Sequence, residues 1–276
     1  MYTSDITEES FNKLDTNILF VKTQTRKYSK IDIFNAILYQ LDNGGKWRSL
    51  PINFPPYRSV FYYFSKWKNN GVLDIILAQT NVKARHHLGL PCKPTIGIID
   101  SSSIDNFNVS EINGYDGNKK KDGIKRFIIT DDLGLVLSVK CTSANKAEVH
   151  GAKLFANQEF KKTNYHLTSI IADKGFVSKQ LKVDFSKFSI DFRAMQRTGN
   201  IRNKSNHCIA IDIHASRVSI ANMINKAISV TRWVVERTFA WMTNKRRLAK
   251  NYEKTTASAE AMVKLFGIAL ALKKLI

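Results

Sequence analysis

The strongest constraint on the fold is a change of hydrophobic period at Thr95. Upstream, apolar residues recur at helical spacing; from Thr95 the sequence TIGIID is a continuous apolar run that stops at Asp100 and is followed by Ser101, Ser102 and Ser103. A short apolar run so bounded reads as a strand buried on both faces. A second run, SIIAD, stops at Asp173 before Lys174-Gly175. Between them lie FIIT, a turn at Asp131-Asp132-Leu133-Gly134, and LVLSVKC, whose Leu135, Leu137, Val139 and Cys141 alternate with more polar neighbours; this reads as a hairpin. Helices over Asn145–Phe160 and Ser178–Val183 and a strand over Ser189–Phe192 extend the series. The order strand, hairpin, helix, strand, helix, strand, helix predicts an α/β fold, a mixed sheet with helices on its faces.

The chain ahead of the sheet reads as helical. Residues 1–28 carry a weak amphipathic pattern (Phe11, Leu14, Ile18, Leu19). Ser29 and Asp32 are spaced like a capping box, Ile33, Ile37 and Leu41 share one face, and Gly44-Gly45 end that helix. Ser59 is expected to cap a second helix with Phe61, Phe64 and Trp67 inward and Arg58, Lys66 and Lys68 nearby; Asn70-Gly71 stops it, and Val72–Lys83 is a third. Short helices joined by tight turns, with basic and aromatic residues on them, suit a helix-turn-helix-like DNA-binding unit. A helical cap with an ordinary basic surface fits the same residues. The expected division is a helical domain over 1–90 and a sheet-containing domain over 91–276.

Charge narrows the partner. With 43 Lys+Arg against 23 Asp+Glu the formal charge is +20, which calls for an anionic partner, nucleic acid by default, without choosing an activity. Cys92, Cys141 and Cys208 are odd in number, far apart and in no C-x-x-C arrangement, which excludes a disulfide framework and a thiolate zinc site. The opening MYTSDITEES bears acids where a secretory signal needs a basic then apolar run, and Leu265–Leu272 is too short to span a bilayer. A cytoplasmic, nucleoid-associated protein with no membrane partner is expected.

A third carboxylate stands in TRWVVERTFAWMTNKRRLAKNYE, Thr231–Glu253, where Val234, Val235, Thr238, Phe239 and Met242 keep helical spacing. Glu236 interrupts that pattern between Arg232 and Arg237. Such a glutamate is either paired with Arg232 at i, i+4 or a metal ligand. Asp100 and Asp173 read equally well as strand-end turn residues or as ligands. Their separations are too long for a local motif, so the three can meet only through tertiary folding. If the two apolar strands are neighbours, both aspartates reach one edge of the sheet, where the late helix can supply Glu236. Converging carboxylates repel unless cations hold them, and hard oxygen donors select Mg2+ or Mn2+. Two such ions serve the in-line displacement of a phosphodiester.

These residues bring a family with them. The blocks IDSSSI, GYDGNKKKDGIKRFIITDDLGLVLSV, ANKAEVHGAKLF, IIADKGF and RWVVERTFAWMTNKRRLAKNYE resemble a bacterial insertion-sequence transposase of the DDE class, close to the fourth and fifth insertion-sequence families. YSKIDIFNAILYQLDNGGKWRSLP and YRSVFYYFSKWKNNGVLD resemble the helical domain preceding the catalytic domain in that group, so the resemblance runs from about Ser29 to Leu275. It implies a ribonuclease H-like core with Asp100, Asp173 and Glu236 as the catalytic, metal-binding triad and two Mg2+ or Mn2+ ions. It also implies cleavage and strand transfer of DNA after binding of terminal inverted repeats, and at least a homodimer on DNA. Arg232 is expected to orient Glu236 or bind phosphate; Arg237, Lys245, Arg246 and Arg247, with Lys250 and Lys254, are expected to grip DNA together with Arg58, Lys66 and Lys68. Two positions depart from the family pattern: Ser229 replaces a tyrosine and Thr243 a lysine. His150 stands where an acidic residue is expected and is given no catalytic role. The alternatives are a ribonuclease H-like nuclease or resolvase, which needs no end-binding helices, and a decayed DNA-binding remnant.

Overall fold

The computed structural model describes residues 2–20, 27–107, 110–194 and 233–275. Its helices are α1 (Glu8–Asn12), α2 (Thr16–Leu19), α3 (Lys30–Asn43), α4 (Tyr57–Asn69), α5 (Val72–His87), α6 (Glu148–Lys153), α7 (Gln158–Thr163), α8 (Lys179–Ser186), α9 (233–243), α10 (Arg246–Ala249) and α11 (Thr256–Lys273). The strands are β1 (Ile96–Asp105), β2 (Tyr115–Asp116), β3 (Lys121–Thr130), β4 (Val136–Ser143), β5 (Ser169–Ala172) and β6 (Asp191–Ala194). Antiparallel β1, β3 and β4 join parallel β5 and β6, with β3 beside β1, β1 beside β5 and β5 beside β6. That is the mixed sheet of a ribonuclease H-like core. Among the described residues no helix is long and apolar enough to cross a membrane.

Strand β3 explains why the sheet has two covered faces. Every residue from Gly123 to Thr130 is buried, and alternate side chains enter different cores. Ile124 and Ile128 join the cluster containing Ile98, Val235, Met242 and the interior of α11, whereas Phe127 and Ile129 join Ile99, Phe155, Ile170, Ala172 and Phe185 on the opposite face. The first cluster extends into the N-terminal helices through Phe34, Phe64, Trp67 and Leu77, so helices and sheet share one core. Trp67 is fully buried, and its indole N–H is satisfied by the Leu19 carbonyl at 2.7 Å. On α11, Gly267 permits close packing, since a Cβ there would lie 2.8 Å from Leu77 Cδ1.

Several local expectations are corrected. β1 does not stop at Asp100 but continues to Asp105, because β3 pairs with it from Ile98 to Asp105; only its parallel pairing with β5 ends near Asp100, at Ile99↔Ala172. The stretch GYDGNKKKDGIKRF, for all its lysines and glycines, is no open loop but largely β2, a tight turn and the first half of β3. Asp116 holds that turn by accepting from the backbone N–H groups of Asn118 and Lys119. The single helix expected over Asn145–Phe160 is broken into α6 and α7, where Asn157 caps Phe160 N and donates to the Leu154 carbonyl. Helix α4 starts at Tyr57 behind Pro56, ahead of Ser59, and Ser29 makes no side-chain cap on α3.

Candidate active site

Sheet register decides how the first two carboxylates meet. Ile99 and Ala172 are parallel partners, so Asp100 and Asp173 each stand one step beyond that pair on adjacent chains, with neighbouring strands about 4.8 Å apart. Asp173 retains an extended backbone, φ −72° and ψ 169°. Alternation therefore turns both side chains away from the core of Ile99 and Ala172, toward the face that α9 covers with Val235 and Met242. Both are half-buried. Asp100 accepts from Ser101 N at 2.8 Å, and Asp173 accepts from Lys174 N, capping a turn over Lys174–Phe176.

Glu236 is carried on α9. Val235, Thr238 and Met242 face the core, leaving Glu236 exposed on one flank of the helix; it is not wedged into apolar surroundings as its neighbours in sequence suggest. Thr238 anchors the helix by donating to the Gly134 carbonyl at 2.9 Å, and Arg237 Nη2 donates to the Leu133 carbonyl at 3.1 Å. Gly134 has φ +80°, and a Cβ there would stand 2.6 Å from Thr238 Oγ1, so only glycine fits that contact. The turn beneath is rigid. Buried Asp131 accepts from Leu133 N and Leu135 N and pairs with Arg85 at 2.6 Å; burial raises the Asp131 carboxyl pKa against these bonds.

Among the described residues no three of His, Cys, Asp and Glu form a group able to hold one ion. The structure thus brings Asp100 and Asp173 together on one face and places Glu236 on the helix covering that face, without gathering all three. The paired carboxylates, an all-oxygen donor set at a sheet edge, fit a hard divalent cation.

The basic residues divide into surface and structure. Arg58 is exposed on α4, with Nε 3.4 Å from the Tyr57 hydroxyl, and Lys66 and Lys68 are half-buried on the same helix, Lys68 donating to Ser258 Oγ at 3.3 Å. Arg246 is exposed. Arg247 departs from expectation: it is 6% exposed, pairs with Glu253 at 2.8 Å, donates to the Gly45 carbonyl and lies over the Trp47 ring. Its charge is engaged by partners inside the protein. Lys245 is likewise ion-paired with Asp42. Arg237 is sandwiched between Trp233 and Trp241, 4.5 and 4.7 Å from their ring centres. Arg232, Ser229 and Cys208 lie outside the described residues.

One acid escaped the sequence reading. Glu148, two residues before His150, accepts from Ser101 Oγ at 2.8 Å. Its only sequence signal is a first-turn position on a helix following the hairpin.

Residues 91–272 match the family described as "Transposase DDE domain", and residues 6–77 match the family described as "Putative transposase of IS4/5 family". No curated protein matches the chain. Among solved structures, the piggyBac transposase synaptic complex with hairpin DNA is similar at 11% identity and a TM-score of 0.35, over 72% of this chain and 50% of that one. The chain spans about half the length of that transposase. With the family match covering most of its length, the chain belongs to the DDE-domain transposases.

Proposed function

We propose that this transposase binds the terminal inverted repeats of an insertion sequence, cleaves the phosphodiester at the element end to free a 3′-hydroxyl, and joins that hydroxyl to target DNA. The observation that carries this reading is the placement of Asp100 and Asp173 one step past a parallel register pair, facing the helix that bears Glu236. DDE transposases use divalent metal, and Asp100, Asp173 and Glu236 are the residues that would hold it here. Bound there, two Mg2+ or Mn2+ ions would supply an activated attacking oxygen and a stabilised leaving oxygen. For the triad to act together, Glu236 has to approach the aspartates through adjustment of its side chain or of α9. No separate nucleophilic side chain is needed, because water and then the DNA hydroxyl attack in turn.

The chain's own contribution is positioning and charge. Arg58 and Lys66 on α4 and Arg246 beyond α9 offer cations to phosphates, which fix register without reading sequence. A nucleoid-associated location and a dimer holding two element ends belong to the same proposal. The test compares the wild type with Asp100→Asn, Asp173→Asn and Glu236→Gln on a labelled duplex bearing the element's own end, with and without Mg2+. Metal-dependent release of a 3′-hydroxyl at the boundary, lost in all three variants while end binding persists, supports the reading. Binding with no cleavage in Mg2+ or Mn2+ overturns it in favour of a decayed binder, and equal cleavage of unrelated branched DNA favours a resolvase.

A further inference from the structure

We infer that Glu148, at the start of α6, is a positioning residue that sets the spacing between Asp100 and Asp173; the inference rests on reading those two as the carboxylates that hold metal. The sheet ladder between their strands ends at Ile99↔Ala172, so both carboxylates lie just past the last register pair. Glu148 bridges the two segments at that point. Its Oε1 accepts from the hydroxyl of Ser101, the residue after Asp100, at 2.8 Å. Its Oε2 lies against Gly175, two residues after Asp173, where a Cβ would stand only 2.4 Å away. One side chain therefore touches both carboxylate-bearing segments.

The bridge comes from the face opposite α9. Ser101 alternates with Asp100 and shares the side of Ile99, where α6 packs. Helix α6 is itself closely seated, since Gly151 rests on the Phe127 ring so tightly that a Cβ would lie 2.1 Å from Cζ. Glu148 thus transmits the position of a fixed helix to the sheet edge while Asp100 and Asp173 face away from it. Two carboxylates sharing a cation repel each other in its absence, so a brace on their backbones opposes their separation in the metal-free protein. A displacement of about 1 Å at such a site costs on the order of 100-fold in rate.

The test uses the full chain and reads metal binding directly. Mn2+ binding to the DNA-free protein is measured by electron paramagnetic resonance for wild type, Glu148→Ala, Glu148→Gln and Ser101→Ala. Melting temperatures and the Mg2+ dependence of end cleavage are recorded alongside. Glu148→Ala is expected to weaken Mn2+ binding about tenfold, within the range for losing a residue that orients metal ligands, and to raise the Mg2+ needed for half-maximal cleavage similarly. Glu148→Gln keeps an oxygen for Ser101 and should stay near wild type. Ser101→Ala, which leaves α6 intact, should move binding in the same direction as Glu148→Ala. Unchanged Mn2+ binding in Glu148→Ala and Ser101→Ala overturns the inference; so does a Glu148→Gln defect as deep as that of Glu148→Ala, which would make the carboxylate a direct ligand. A wild type that binds no Mn2+ and cuts nothing refutes the underlying carboxylate reading and takes this one with it.

Discussion

Replacing Asp116 by asparagine should unlock a buried ion pair beneath the basic turn. Asp116 is 6% exposed in β2. Its Oδ2 accepts from Ser103 Oγ at 2.6 Å and pairs with Lys125 Nζ at 3.2 Å; its Oδ1 takes the Asn118 and Lys119 N–H groups at 3.0 and 3.1 Å. Burial pushes this carboxyl pKa up, but the bonds from Ser103, Lys119 N and Lys125 outweigh it and hold the value at about 2, against an ordinary 3.8. At about 1.36 kcal/mol per unit of pKa, the ionised form contributes about 2 kcal/mol to folding. The folded-state pKa is the lower one, so this stability is present above the unfolded value near 3.8 and is lost as pH falls through about 2. Asp116→Asn should therefore unfold in urea about 2–3 kcal/mol more easily than wild type at pH 7, because it also leaves buried Lys125 without its counter-charge. The gap should narrow from pH 4 downward and close near pH 2. A variant within about 0.5 kcal/mol of wild type at pH 7, the scatter of ordinary surface changes, or a gap undiminished at pH 2, would refute the reasoning.

Arg246 and Arg247 should separate by experiment although they are neighbours. Arg247→Ala strands buried Glu253 and should cost about 3–5 kcal/mol in chemical unfolding, with the salt slope of end binding unchanged in the folded fraction. Arg246→Ala should leave stability within about 0.5 kcal/mol and flatten the plot of log affinity against log salt by about 0.9, one phosphate contact. Gly151→Ala drives a methyl into the Phe127 ring and should destabilise by about 1–3 kcal/mol in the same assay; wild-type stability would show that α6 is not seated as described.

What the sequence disclosed follows from which interactions are local. Period and helix-end signals marked α3, α4 and α5 and the apolar strands, and the apolar runs ending at Asp100 and Asp173 marked the adjacent pair; α1 and α2, short and only weakly amphipathic, stayed indistinct. The true end of β1 escaped these signals, because Ser101–Ser103 have no apolar signature and are strand only through pairing with Phe127, Arg126 and Lys125. The first half of β3 escaped for the same reason: Lys125 and Arg126 look solvated, yet one pairs with Asp116 and the other is fully buried, donating to the Leu248 carbonyl at 2.8 Å. Arg247 reads as a surface cation because Glu253, six residues on, and Gly45, in the loop after α3, become its partners only when the chain closes. Charge composition points to an anionic partner and leaves open which cations are engaged within the fold.

The same closure bears on the third carboxylate. Pairing of β1 with β5 fixes Asp100 relative to Asp173, whereas the place of Glu236 depends on α9 and α10, and α10 is bound to α3. Gly44 ends α3 with φ +68°, and a Cβ on it would stand 3.1 Å from Arg246 Cβ and 3.2 Å from Arg247 N; Gly45 accepts from Arg247 and Asp42 from Lys245. Glycine is needed both for the left-handed cap and for this approach. Gly44→Ala should therefore cost about 1 kcal/mol or more from the backbone alone, and the added methyl should press α10 away from α3. If α10 passes that displacement to α9, end cleavage per folded molecule should fall further than stability does, while Mn2+ binding by the aspartate pair in the DNA-free protein changes little. Cleavage per folded molecule equal to wild type would mean that α9 takes its position from the Gly134 turn alone, through Thr238 and Arg237, and not from the helix that precedes the sheet.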